Sequence, residues 1–236
     1  MSSAVDIQNL EVSFPKKKVL NRACLSIEKG SFSALIGANG AGKSMLIKSV
    51  CGLQKFSGII KIFGRDLKDI NKNIIGYVPQ NNVSWKNSPI SVFQAVSVGR
   101  FAKNGIFKKF DETDRKIVNN SLRIAQIEHI ADSTLGEISG GESQKVSIAR
   151  VLAQQPEIIF LDEPQASLDP GSQKIFLNFI EKLYLGFNFT CLIVTHDIDM
   201  IPQCCEKVFM LKDGKIVLST DNKNIKEKVR EYDVYG

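Results

Sequence analysis

The sequence predicts an α/β fold built on a parallel sheet. Three observations carry that expectation. Short apolar runs of strand length alternate with helical stripes along the chain. One such run, residues 32–36, passes straight into the glycine-rich stretch Gly37-Ala38-Asn39-Gly40-Ala41-Gly42-Lys43-Ser44. Another, Ile158-Ile159-Phe160-Leu161, ends in two acids, Asp162 and Glu163.

The elements follow in order. Residues 5–14 show strand alternation in Leu10, Val12 and Phe14. Pro15-Lys16-Lys17-Lys18 reads as a turn and 19–27 as the returning strand, so the chain opens on antiparallel β structure. The lysine run is taken as a solvated hairpin tip in preference to a phosphate contact. A helix from Lys43 buries Leu46, Ile47 and Val50 and stops near Gly52, and 59–63 and 74–78 are further strands. Asp111 or Thr113 caps a helix carrying Val118, Leu122 and Ala125, and a second helix opens at Ser139-Gly140-Gly141 and carries Val146, Ala149 and Leu152. Ile175, Phe176, Phe179, Ile180 and Leu183 form another helical stripe, and 191–194 is a strand. Residues 207–211 and 215–218 flank the hairpin turn Asp213-Gly214.

The 236 residues are 43% hydrophobic and 24% charged, which excludes a disordered or fibrous chain. The net charge of +6 suits a phosphate-bearing ligand or an anionic membrane face, and equally a mildly basic solvated surface. No apolar run approaches a bilayer span, and the first residues lack the apolar core of an export signal. The five cysteines are scattered, which argues against a disulfide framework. Cys204-Cys205 is left between simple packing and a soft-metal or redox role.

The glycine-rich stretch fits G-x-x-x-x-G-K-[ST], a pattern expected by chance on the order of 0.01 times in a chain of this length. Its glycines let the backbone wrap and aim several N–H groups at a phosphate, and the following helix start adds partial positive charge. Lys43 would reach the β- and γ-phosphates, and the Ser44 hydroxyl would ligate Mg²⁺. Asp162, at the end of an apolar strand, is the candidate second Mg²⁺ ligand, and Glu163 could act as general base on a water. Ile138-Ser139-Gly140-Gly141-Glu142 reads as a capped helix start. Its paired glycines go beyond what a cap requires and make a second anion site.

The combination, in this order along essentially the whole chain, resembles the ATP-binding cassette (ABC) ATPases. The resemblance implies a phosphate-loop NTPase core with an N-terminal antiparallel β subdomain and a helical insert, in one domain. Residues 1–84 and 149–236 would form the nucleotide-binding core, and 85–148 the mainly helical subdomain that carries the signature motif. It implies that Phe14 stacks on adenine, where the residues alone also allow a core strand position. Gly37, Asn39, Gly40, Ala41, Gly42, Lys43 and Ser44 would hold the ATP phosphates. Gln80, in Tyr77-Val78-Pro79-Gln80, matches the glutamine that contacts Mg²⁺ and water. Ser139, Gly140 and Gly141 match the signature, Asp162 and Glu163 the metal ligand and catalytic carboxylate, Ser167-Leu168-Asp169 the D-loop, and His196 the switch histidine that contacts the γ-phosphate. Two positions depart from the family pattern: Glu142 stands where glutamine is usual, and Gln165 where threonine is frequent.

The resemblance further implies a head-to-tail dimer, with each ATP held between the loop of residues 37–44 of one copy and the signature of the other. It implies ATP and Mg²⁺ as cofactors, an integral membrane permease as partner, an extracytoplasmic solute-binding protein beyond it, and no nucleic acid. The chain would sit on the cytoplasmic face of the membrane. Tyr77-Val78-Pro79-Gln80, Trp85, Pro89-Ile90-Ser91-Val92 and Val98-Gly99-Arg100, continued by Gly105-Ile106-Phe107, resemble importers of manganese, zinc or iron. Siderophore, haem and cobalamin importers, and a soluble ATPase such as an iron–sulphur assembly factor, stand as alternatives. Trp85 could dock the membrane subunit or pin the insert to the core.

Overall fold

The computed structural model describes residues 2–80, 88–105, 108–166, 168–187 and 189–230. Trp85, Ile106, Phe107 and Ser167 fall outside them. The chain divides into two compact units, one of Met1–Lys72, Phe160–Glu163 and Ile180–Gly236, the other of Asn73–Ile159 and Pro164–Phe179.

The first unit begins with β1 (Ser3–Phe14) and β2 (Lys17–Glu28), an antiparallel pair. The strand register takes in Lys17 and Lys18, opposite Phe14 and Ser13, so the turn is shorter than the lysine run suggested. Lysine is a weak strand former, but cross-strand pairing overrides that preference. β3 (Phe32–Ile36) is buried throughout and leads into α1 (Lys43–Val50). β4 (Ser57–Ile62) and the short β5 (Arg65–Asp66) complete an antiparallel sheet in the order β2-β1-β4-β5.

The second unit opens with β6 (Ile75–Val78) and then α2 (Val92–Asn104), a helix that the sequence stripes did not place. Ser91 and Gln94 close a reciprocal capping box at its start: Gln94 N–H donates to Ser91 Oγ at 3.2 Å and Ser91 N–H to Gln94 Oε1 at 2.8 Å. α3 (Glu112–Ile124) is capped by Asp111 and α4 (Gly140–Gln154) by Ser139. Gly99 lets α2 lie against α4, since a Cβ there would collide with Arg150 O. Arg100 ties the three helices together: Nε meets Asp114 Oδ1 at 2.8 Å, and Nη1 donates to Ala153 O at 2.8 Å.

β7 (Ile158–Asp162), α5 (Pro170–Gly186), β8 (Thr190–Thr195), β9 (Lys207–Lys212), β10 (Lys215–Asp221) and α6 (Ile225–Arg230) follow. Within the first unit the larger sheet runs β10-β9-β3-β8-β7. Strand β3 is parallel to β8 from Phe32↔Cys191 to Ile36↔Thr195, and parallel to β9. β9 and β10 are antiparallel around Asp213-Gly214. β3, β7 and β8 are buried along their whole length and mostly apolar, because both faces are covered. One position of the expected α5 stripe fails: Ile175 is 68% exposed, whereas Phe176, Phe179, Ile180 and Leu183 are buried.

Arg100 and Asp114 are both buried, so removing one strands the other's charge. Burial alone would raise the Asp114 carboxyl, but hydrogen bonds from Arg100, from Asp111 N–H and from Asn104 hold it below the usual carboxylate range. Its contribution is therefore present at neutral pH and lost on acidification through the folded-state value. Asp114→Ala should lower unfolding free energy by roughly 3 kcal/mol in urea titrations. Glu112→Ala, at an exposed 4.0 Å pair with Arg115, should change it by no more than about 0.5 kcal/mol.

Candidate functional site

The parallel strands of the first unit bring the chemistry to one edge. Ile36 ends β3 opposite Thr195, which ends β8. The glycine-rich loop begins one residue after the first, and His196 follows the second. β7 ends in Asp162, and Glu163 N–H donates to Val194 O at 3.0 Å, which fixes the acid beside the end of β8. Loops at the carboxyl ends of parallel strands are where such sheets bind ligands.

The loop's shape is set by its neighbours. Gly42 has φ 108°, and a Cβ there would lie 2.8 Å from Leu20 Cδ2 and 3.1 Å from Val19 O. Only glycine combines that conformation with that approach. Gly42 is the N-cap of α1 and provides no side-chain cap, so the first-turn N–H groups have no intrahelical acceptor and can serve an anion.

Lys43 lies at 5% exposure, where an ammonium needs partners. Its Nζ donates to Gly37 O at 2.8 Å and Ala38 O at 3.1 Å, and meets Glu163 Oε1 at 3.3 Å. Glu163 is equally buried and sits at φ 45°, a left-handed conformation uncommon for a non-glycine residue. Its other oxygen, Oε2, is 3.2 Å from His196 Nδ1. Ser44 Oγ donates to Asp162 Oδ1 at 3.1 Å, and Asp162 is 1% exposed. Burial, then the Asp162 charge, pushes the nearby Cys51 thiol up to about 12, so it stays a neutral packing group.

Five residues expected to act together are thus assembled: Lys43, Ser44, Asp162, Glu163 and His196. Phe14 closes β1 and is 47% exposed, so it is no core residue. Asn39, Gly40 and Ala41 line an open cavity of about 330 Å³, together with Lys17, Lys18, Val19 and Leu211–Gly214. That lining was missed in the sequence. The lysines looked like a solvated tip, and Asp213-Gly214 signalled only a turn. Lys18 also pairs with Glu11 at 2.9 Å.

Gln80, the signature residues and Asp169 belong to the second unit. Gln80 is half-buried just past β6. Asp169 Oδ1 accepts the N–H groups of Gly171 and Ser172, each at 3.1 Å, so its carboxylate caps the start of α5. Ser139 and Gly140 are exposed at the start of α4. A Cβ on Gly141 would meet nothing within 4 Å among the described residues. Burial above all pushes Cys204 up to about 11 and Cys205 up to about 12, so neither offers a thiolate at neutral pH.

A phosphate loop between β3 and α1, a buried acid facing its serine, and a carboxylate held by lysine and histidine define a nucleoside-triphosphate hydrolase of the phosphate-loop class. Residues 20–166 match the family model described as "ABC transporter". The chain belongs to that family and is one of its ATPases. It is 34% identical to the manganese transport system ATP-binding protein MntB of Halalkalibacterium halodurans, over 89% of this chain and 84% of that one. It is also 34% identical to the high-affinity zinc uptake system ATP-binding protein ZnuC of Bacillus subtilis, over 89% of this chain and 92% of that one. Among solved structures it resembles CbiO1 of Clostridium perfringens, part of the ABC transporter complex CbiONQ. That likeness has a TM-score of 0.82 and 29% identity, and covers 100% of this chain and 96% of that one.

Lys43→Ala removes the cation aimed into the loop and leaves Glu163 buried without it. Nucleotide affinity should fall at least about tenfold, the equivalent of one charge-assisted hydrogen bond. Titration with a fluorescent ATP analogue, with the fold checked by circular dichroism, measures this.

Proposed function

We propose that this chain is the ATP-hydrolysing subunit of a metal-ion importer, for manganese, zinc or iron, working as a head-to-tail pair beneath a separate membrane permease. The observation that carries the ATPase part is the convergence of Lys43, Ser44, Asp162, Glu163 and His196 at one strand edge. The metal-importer part is supported by the manganese and zinc transport relatives. Among the described residues no helix is long and apolar enough to cross a membrane, so a separate subunit would supply the path. The chain would then act at the cytoplasmic face.

The residues divide the work. The loop N–H groups and Lys43 hold the phosphates. On binding, Lys43 exchanges Gly37 O, Ala38 O and Glu163 for phosphate oxygens, which releases the Glu163 carboxylate. Ser44 and Asp162 fit Mg²⁺, because two hard oxygens already lie 3.1 Å apart and this ion takes one or two protein oxygens plus phosphate and water. Mg²⁺ there would neutralise charge developing on the phosphates. Glu163 takes the proton of the attacking water. His196 orients Glu163 through Nδ1, and its Nε2 is the atom that would reach the γ-phosphate. Phe14 would add a stacking face for the base, and Gln80 and Asp169 would keep the roles that the resemblance implies.

The second anion site belongs to the other copy. Glycine is a poorer helix residue than alanine, by up to about 1 kcal/mol in a helix interior, and Gly141 is the second residue of α4. No neighbour within the described chain requires it at Gly141, so the open space suits close approach by another molecule. Ser139 and the N–H groups of Gly140 and Gly141 would meet the γ-phosphate bound to the partner's loop.

Glu163→Gln should keep ATP binding, lose about 100-fold or more of turnover, and accumulate an ATP-dependent dimer. Phosphate release and light scattering measure these effects. A parental hydrolysis rate would remove Glu163 from the base role, and a strictly monomeric ATP-bound variant would remove the paired arrangement. Co-purification of the native complex, followed by uptake of radioactive manganese, zinc and iron, tests the transport assignment. Retention of a bound siderophore, haem or cobalamin instead would overturn it.

A further inference from the structure

Glu142, where glutamine is usual in the family, makes two contacts with Ser139. Its Oε2 accepts the Ser139 hydroxyl at 2.7 Å and the Ser139 backbone N–H at 2.8 Å. The return bond is longer, with Glu142 N–H donating to Ser139 Oγ at 3.3 Å. A serine hydroxyl has a single proton. Here it points at a carboxylate on its own helix, whereas the proposed reaction needs it to point at a phosphate.

The carboxylate stays ionised. The Ser139 hydroxyl, then the Ser139 N–H, outweigh burial and hold Glu142 below the usual carboxylate range, and the Lys145 charge adds to this. The negative charge therefore sits on the first turn of the helix whose start would receive the γ-phosphate. As a cap it favours the helix; toward an incoming anion it is repulsive.

We propose that Glu142 competes with the γ-phosphate for the Ser139 hydroxyl, so that this one side chain weakens closure of the ATP-bound pair and favours its reopening. The proposal rests on the head-to-tail reading above. Closure has to break the Ser139–Glu142 contact or bring the phosphate up to a site whose donor is engaged and whose charge is of the same sign. Glutamine in the same place removes both obstacles. Its Oε1 still accepts the Ser139 N–H, so the cap persists. Its Nε2 can donate to Ser139 Oγ, which turns the hydroxyl proton outward.

The test compares Glu142→Gln and Ser139→Ala, each in the full chain carrying Glu163→Gln, with ATP and Mg²⁺. Dimer dissociation constants come from sedimentation, and monomer nucleotide affinity from fluorescent ATP titration. Glu142→Gln should tighten the dimer about five- to tenfold at low salt, with the gain shrinking as salt screens the charge. Monomer nucleotide affinity and melting temperature should stay at parental values, which a purely structural cap would not combine with a tighter dimer. Ser139→Ala should loosen the dimer. If Ser139→Ala loosens it while Glu142→Gln leaves it within twofold, the competition is absent and the head-to-tail reading stands. Should Ser139→Ala leave the dimer unchanged, or no ATP-dependent dimer form, that reading fails and the competition with it.

Discussion

The first unit is organised around one buried positive charge. An ammonium at 5% exposure is tolerable only with close partners, and Lys43 has three: two loop carbonyls and the Glu163 carboxylate. Those carbonyls must face inward to reach it. Glu163 must reach back toward the loop, and its φ of 45° is the backbone cost of doing so. His196 then holds the second carboxylate oxygen. Lys43 and Glu163 neutralise each other here. In the proposed reaction phosphate would replace Glu163 as the lysine's partner, so binding the substrate would itself free the proposed base.

Strand topology supplies the precision. β3 and β8 are hydrogen-bonded in parallel register up to Ile36↔Thr195, so loop and histidine start from the same level of the sheet. Glu163 is fastened to Val194 O, one residue short of that level. Reacting groups placed by a hydrogen-bonded ladder keep their spacing far better than groups placed by long loops. Parallel order also forces these groups to come from distant parts of the sequence, because each return to the sheet needs a crossover.

Much of this was legible beforehand, for a physical reason. The phosphate loop, the strand-ending acids and the capped helix start are local constraints, written in consecutive residues. The buried strands were equally plain, because β3, β7 and β8 are mostly apolar on both faces. What escaped the sequence depended on partners far along the chain. Lys17 and Lys18 look like a turn until β1 pairs with them. Ile175 fits an apolar stripe by spacing, yet it lies 68% exposed. α2 has a modest apolar face, and its place against α4 rests on Gly99, whose missing side chain shows no helical pattern. The Lys43–Glu163 pair could be named residue by residue, but its closure needed β7 beside β8.

Two glycines in this chain separate internal from external constraint. At Gly42 a side chain would strike Leu20 and Val19, so the fold itself explains the residue. At Gly141 a side chain would meet nothing within 4 Å among the described residues, and the backbone there has no left-handed φ to explain it. In the proposed pairing that open space would admit the partner's bound ATP. At the same helix start a carboxylate of the chain itself accepts both donors of Ser139. If the partner's γ-phosphate is to reach this helix start, it would bind only by exchange with that internal anion. Its affinity would then be set by a difference between two interactions, and a single side-chain charge would tune that difference without touching the loop of residues 37–44.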